Sequence, residues 1–199
     1  MTEPAPRGRP RDPDVEDRAV RAALEVYGET GWAGFNIDTV ARRSGVGKAS
    51  LYLRWGSREE LLIDAIGRGV RFVEEVDTGS LRGDLRELAG QLHDRYVGPT
   101  GRTLFRLIYE AAEVPHLADQ YAEWSRSQIL GARAIVRRAA GRGELAADAS
   151  ATLIMDTLCG GVMAHVLTTP PDLRETMKAK SAGYLDQLTD FVVRATRAA

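Results

Sequence analysis

Apolar side chains recur along this chain at three- and four-residue spacing almost throughout, and β-branched residues alternate over no appreciable length. The pattern predicts an all-α fold. Val15, Ala19, Ala22, Ala23, Val26 and Tyr27 form the first stripe, and Gly31 stands where a left-handed residue would end it. A first helix over about residues 14 to 30 follows. Ahead of it, residues 1–13 form a polar segment with Pro4, Pro6, Pro10 and Pro13, expected to be extended or flexible. Breaks at Gly34, at Ser44-Gly45-Val46-Gly47 and at Gly56-Ser57 cut the next stretch into two very short helices and a longer one, over about residues 58 to 76. Asn36 and Ser57 are N-cap residue types for the first and last of these. Later breaks at residues 77–80, 98–101, 114–115, 141–143 and 170–171 mark off five more helices, about nine in all. No unit of about 20 to 50 residues repeats, which argues against a solenoid.

The two short helices lie within Thr39 to Trp55, joined by a turn at Gly45 to Gly47. Helices of about two turns are marginal alone, so packing must hold them. Val40, Ala41, Val46, Leu51 and Trp55 can face inward against Ala23, Val26 and Tyr27, with Ala41 small enough for a close crossing near the turn. The outer face of the second helix then presents Lys48, Ala49, Ser50, Tyr52, Leu53 and Arg54, with Gly47 at its start. This is the layout of a helix-turn-helix, whose second helix fits a DNA major groove. Lys48 can neutralise a phosphate or reach guanine, Ser50 can hydrogen-bond a base or phosphate, Ala49 can touch a thymine methyl, and Tyr52 suits a phosphate oxygen. Arg58 falls in the first turn of the following helix, where free N–H groups also favour phosphate. Asp38, Thr39 and Arg43 are secondary backbone-contact candidates. The same residues also fit a helical hairpin with a solvated basic face.

The run from Gly31 to Leu62 resembles the DNA-binding domain of TetR-type bacterial regulators, most closely at Ser44-Gly-Val-Gly-Lys-Ala-Ser-Leu-Tyr52 and Ser57-Arg-Glu-Glu-Leu61. The resemblance extends over about residues 14 to 66. It implies a homodimer that binds a palindromic double-stranded DNA operator as a repressor. It further implies an all-α regulatory domain that dimerises through its last two helices and is released from DNA by a small-molecule effector. Two positions depart from the family pattern. Leu53 stands where many members have His, Tyr or Arg, and Gly56 occupies a junction that is often Pro. Upstream, Arg7, Arg9 and Arg11 resemble the basic arm of some members, which could follow a minor groove. A solubilising tail is the alternative, because Asp12 and Asp14 dilute the charge. Residues 77–85 look like the connector of one subgroup.

Charge by segment agrees with a DNA-facing head. The whole chain carries a net −1, yet residues 36–58 sum to +4 and residues 59–199 to −3. With 199 residues and 44% hydrophobic content there is enough apolar material for a sizeable core. The expected organisation is an arm over 1–13, a helix-turn-helix domain over 14–60, and an effector-binding and dimerisation domain over 61–199.

In that last segment a helix over about residues 148 to 168 is apolar nearly all round, carrying Leu153, Ile154, Leu158, Val162 and Val166 with Gly160, Gly161 and Ala164 in its middle. Such a helix is buried on two sides, against a partner subunit or inside one core. The last helix adds Tyr184, Leu185, Leu188, Phe191 and Val192, enough for half of a four-helix interface. Phe105, Tyr109, Tyr121, Trp124, Met155, Cys159 and His165 are candidates for lining an effector pocket, though each taken singly fits ordinary core packing better. Cys159 is the only cysteine, and His93 and His165 have no ligand partner at metal spacing, so no metal or cofactor is expected. No nucleophile motif, P-loop or dinucleotide fingerprint marks an enzyme. The N-terminus lacks a secretory h-region and no uninterrupted apolar run approaches the ~18 residues of a membrane span, so a cytoplasmic protein without a membrane partner is expected. A helical scaffold with a vestigial helix-turn-helix and a sequence-independent DNA binder remain the competing classes.

Overall fold

A computed structural model describes residues 13–70, 75–114, 116–146 and 148–196. Among these the chain forms nine α-helices and no strand: α1 Pro13–Gly34, α2 Ile37–Ser44, α3 Lys48–Arg54, α4 Arg58–Gly69, α5 Leu81–Val97, α6 Gly101–Glu110, α7 Leu117–Gly141, α8 Ala151–Thr168 and α9 Arg174–Ala195. The all-α expectation and the helix count hold.

Local signals set the head. Gly31 adopts φ 66°, so the regular part of α1 stops there and a last turn to Gly34 follows a kink. Asn36 caps α2, its Oδ1 accepting from the Thr39 N–H at 2.8 Å, and Gly45 ends α2 in the left-handed region at φ 68°. Ser57 caps α4 by accepting from the Glu60 N–H at 3.1 Å, while Glu60 reaches back to accept from the Gly56 N–H at 2.9 Å. Gly56 thus joins α3 to α4 through a bonded turn without a proline.

α4 is shorter than the expected helix over about 58 to 76. It ends at Gly69, and residues 75–78 are not helical. The connector is held from outside its own sequence. Asp84, fully buried, accepts from the Thr78 N–H at 2.6 Å and the Thr78 hydroxyl at 2.7 Å, and Arg138 of α7 donates to the Val76 carbonyl. Tertiary hydrogen bonds thus hold residues 76 and 78 in a non-helical conformation that local spacing does not announce.

Two hydrophobic cores result. The first gathers Ala23, Val26, Tyr27, Val40, Val46, Leu51, Trp55, Leu61, Leu62 and Ile66 together with Leu104 and Leu107 of α6 and Leu117 of α7. The expected division near residue 60 falls inside it. The second packs Leu85, Leu88 and Leu92 of α5 against α7, α8 and α9. α6 is fastened to the head at both ends: Thr103 donates its hydroxyl to the Leu24 carbonyl at 2.7 Å, and the Trp32 N–H donates to Glu110 at 2.9 Å. Gly28 faces Thr103 there, where an added Cβ would lie 2.9 Å from the threonine hydroxyl.

α8 is long and apolar enough, with a mean hydropathy of 1.4, to cross a membrane by length and composition alone. One of its faces, Ile154, Met155, Leu158, Val162 and Val166, is buried in the second core. The opposite face, Leu153, Thr157, Gly160, Ala164 and Leu167, follows helical spacing and is half-buried at Thr157 and Gly160 and exposed at the other three, Leu153 being 68% and Leu167 58% exposed. On α9, Phe191 is likewise 57% exposed.

Candidate functional site

α3 is seven residues long, its first residue follows Gly47, and no side chain caps it. Its position comes from Leu51, the one buried side chain it carries, flanked by Val46 in the turn and Trp55 just beyond its end. Trp55 also donates its indole N–H to Asp64 of α4 at 2.9 Å, which fixes the far end. With that inward anchor set, Gly47, Lys48, Ala49, Tyr52 and Leu53 stand exposed, and Leu53 at 86% is the most projecting large apolar side chain of the head.

The charged candidates fall into two groups. Lys48 pairs with Asp38 at 2.6 Å and lies 5.9 Å from the Tyr52 ring centroid. Both partners of that pair are more than half exposed, and the carboxylate beside Lys48 raises the ammonium pKa above its ordinary value. Exposed pairs of this kind are screened by solvent and weak, so the ammonium remains open to another anion. Arg43 is bonded to Glu29 at 2.8 Å on an exposed flank, and Thr39 sits beside it half-buried, accepting from Arg42 at 3.4 Å. Arg54 and Arg58 are instead drawn into the head. Arg54 donates to Ser50 Oγ at 2.7 Å and faces Glu16 at 3.6 Å, so Ser50 is already engaged. Arg58 donates to the Phe35 carbonyl at 2.8 Å with its guanidinium 3.9 Å from the Trp32 ring centroid. Arg7, Arg9 and Arg11 lie outside the described residues.

Away from the head, α5, α6, α7 and α8 surround a cavity of about 600 Å³. Leu88, Leu92, Leu104, Leu107, Ile108 and Ile135 supply most of its apolar wall, and Tyr96, Tyr121 and Trp124 its aromatic one. Its volume is that of a site for a drug-sized molecule, roughly 300–1,000 Å³. Of the seven residues suggested by the sequence, Tyr121, Trp124 and Cys159 line it. Phe105 and Tyr109 line a neighbouring cavity of about 570 Å³, separated by Tyr96, which stacks on Phe105 at 5.0 Å between centroids. Met155 is buried in the second core, and His165 stacks on Tyr184 at 3.7 Å. Burial pushes the Cys159 thiol up to about 11, so it stays protonated and contributes a weak, neutral wall.

Sequence reasoning missed Arg95. It lines the cavity, its Nε is buried, and among the described residues no carboxylate or hydrogen-bond acceptor meets it. The signal was its place at the end of the stripe Leu85, Leu88, Leu92, where an apolar residue would be expected.

Comparison with known proteins covers both regions. The profile described as "Bacterial regulatory proteins, tetR family" matches residues 19–65, and that described as "Tetracyclin repressor-like, C-terminal domain" matches residues 75–190. The chain is 31% identical over 173 residues to the HTH-type transcriptional regulator AqdR of Rhodococcus erythropolis, covering 85% of this chain and 83% of that one. It is 33% identical over 150 residues to the DNA-binding transcriptional repressor TetR of Mycobacteroides abscessus, covering 73% and 78%. Among solved structures, MexZ of Pseudomonas aeruginosa superposes with a TM-score of 0.77 at 18% identity, over 94% of this chain and 97% of that one, a likeness of fold.

Proposed function

The chain belongs to the TetR family of helix-turn-helix transcriptional regulators, and from that premise we propose that it is a homodimeric repressor of a palindromic operator, released by a small molecule. The observation that carries the DNA-binding part is the division of α3, whose Leu51 is buried while Lys48, Ala49, Tyr52 and Leu53 lie on its exposed face. In a major groove, Lys48 and Tyr52 would take phosphate oxygens, and Ala49 and Leu53 would lie against thymine methyl groups. Ser50 is available for a base edge if Arg54 turns aside. Arg43 and Thr39 flank the groove as backbone contacts. Arg58, stacked and bonded as it is, supports the α3–α4 junction first and reaches phosphate only by leaving Trp32.

Dimerisation through α8 and α9 is supported by the exposed Leu153 and Leu167 on α8 and Phe191 on α9. Gly160 and Gly183 face open space, where an added Cβ would meet nothing within 4 Å. A mid-helix glycine costs about 1 kcal/mol relative to alanine, a cost that close approach of a partner helix would offset. Release runs through α6, because Leu104 and Leu107 line the cavity while Thr103 and Glu110 grip α1 of the head. A ligand that displaces α6 shifts the head, and by linkage DNA must weaken ligand binding by the same factor.

The test is operator binding by Lys48→Ala and Tyr52→Ala variants on DNA fragments selected by the wild-type protein from the source genome. Each should weaken binding by about 1–3 kcal/mol while leaving the dimer intact, and Lys48→Ala should lower the salt slope by about one. Unchanged affinity in both variants would show that α3 does not present this face to DNA.

A further inference from the structure

Among the side chains around the cavity, Arg95 is the one whose placement the fold does not explain. It continues the stripe of Leu85, Leu88 and Leu92 on α5, so its stem runs along the second core and its guanidinium lies at the cavity wall. Three other arginines on α5 and α6 are matched: Arg82 to Asp190 at 2.7 Å, Arg86 to Asp186 at 2.8 Å, Arg106 to Glu110 at 2.8 Å. Arg95 has no such match among the described residues, and its Nε is buried without an acceptor. Partial removal from water lowers its pKa from the ordinary arginine value. A guanidinium holds donors only, five of them in a planar fork, and Arg95, half-buried with its Nε cut off from water, keeps an unmet donor until a carboxylate-like acceptor occupies that fork. Around it the wall is apolar and aromatic, with Ser125, Gln128 and the protonated Cys159 as neutral groups, while Glu75, the lining carboxylate, is exposed.

We propose that the cavity between α5 and α8 binds an apolar organic monoanion whose carboxylate pairs with Arg95 and whose hydrocarbon or aromatic body lies along Leu88, Leu104, Tyr121 and Trp124. Among the described residues Arg95 is the one cation of a mostly apolar lining and so selects a single negative charge, and about 600 Å³ holds a body of drug-like size. The inference deepens the regulatory reading above and rests on it only for the consequence that binding releases DNA.

The test uses the full chain and calorimetric titration with two acids, decanoate and 2-naphthoate, against their neutral amides, decanamide and 2-naphthamide. In the wild type each acid should bind about tenfold or more tighter than its amide. Arg95→Met, which keeps the stem apolar, should abolish that preference and melt no lower than the wild type, and Arg95→Lys should retain part of it. Equal binding of acid and amide in the wild type, a preference that survives in Arg95→Met, or no binding of either acid at millimolar concentration would each overturn the proposal. The wild-type comparison stands by itself if a variant fails to fold. Competition with bound operator DNA separates the two ideas. Arg95-dependent binding of acids that leaves the DNA complex intact supports the anion site and contradicts release. Release by the amides, equally in wild type and Arg95→Met, contradicts the anion site and supports release.

Discussion

Aspartate at both Leu153 and Phe191 should turn the protein into a monomer of 21.8 kDa and lower its operator affinity by about 10²–10⁴-fold. Both side chains are more than half exposed in the single chain, 68% and 57%, so neither substitution opens a hole in either core. Exposed changes of this kind cost an isolated chain little, within about 0.5 kcal/mol. In a dimer they would bury carboxylates against apolar surface beside Gly160 and Gly183, where an unpaired charge is not tolerated. The affinity falls because two heads tethered in one dimer reinforce each other on the two half-sites, and a monomer has one. Sedimentation equilibrium of wild type and variant, with far-UV circular dichroism to show that helicity is kept, checks the expectation. A variant that stays dimeric would place the interface elsewhere.

Leu51→Ala should have the largest effect on the head. α3 has two turns, no side-chain cap and a single buried side chain, so its docking depends on that leucine between Val46 and Trp55. Truncating a fully buried leucine to alanine costs about 2–5 kcal/mol, the range set by how far the site can collapse. For a chain of this size the melting temperature should fall by roughly 4–20 °C. Operator binding should weaken beyond that of Tyr52→Ala, because the whole reading face moves instead of one contact. Calorimetric melting and operator titration of the two variants side by side check it. A Leu51→Ala protein with wild-type stability and affinity would show that α3 is held by something other than its buried face.

What was legible in the sequence was what neighbouring residues decide. Asn36, Gly45 and Ser57 act within a turn of their own positions, so the caps and the break between α2 and α3 could be read directly. The inward set Val40, Val46, Leu51 and Trp55 followed from helical spacing, and with it the exposure of Tyr52 and Leu53. What depends on distant residues could not be read. Arg54 and Arg58 sit in the same basic run as Lys48, but Glu16, Trp32 and Phe35 draw them inward, and nothing local announces that. Residues 75–78 leave the helical pattern where Asp84 and Arg138, from other helices, bond Thr78 and Val76. The aromatic candidates divide between two cavities and the second core, since helical spacing reports which side of a helix is apolar and not whether packing fills the space behind it. Arg95 was overlooked, although a charge at an apolar position of the α5 stripe was the signal that could have found it.

The central claim, specific recognition of DNA by a dimer through α3, is tested most directly by titrating the wild-type protein into a selected palindromic duplex and a random duplex of equal length at two salt concentrations. The account predicts two chains per palindrome and weaker binding to both duplexes as salt rises. It also predicts a preference for the palindrome that persists at the higher salt, because base contacts add to the phosphate term. Equal affinity for the two duplexes at both salts, or no binding to either near physiological salt, would contradict it.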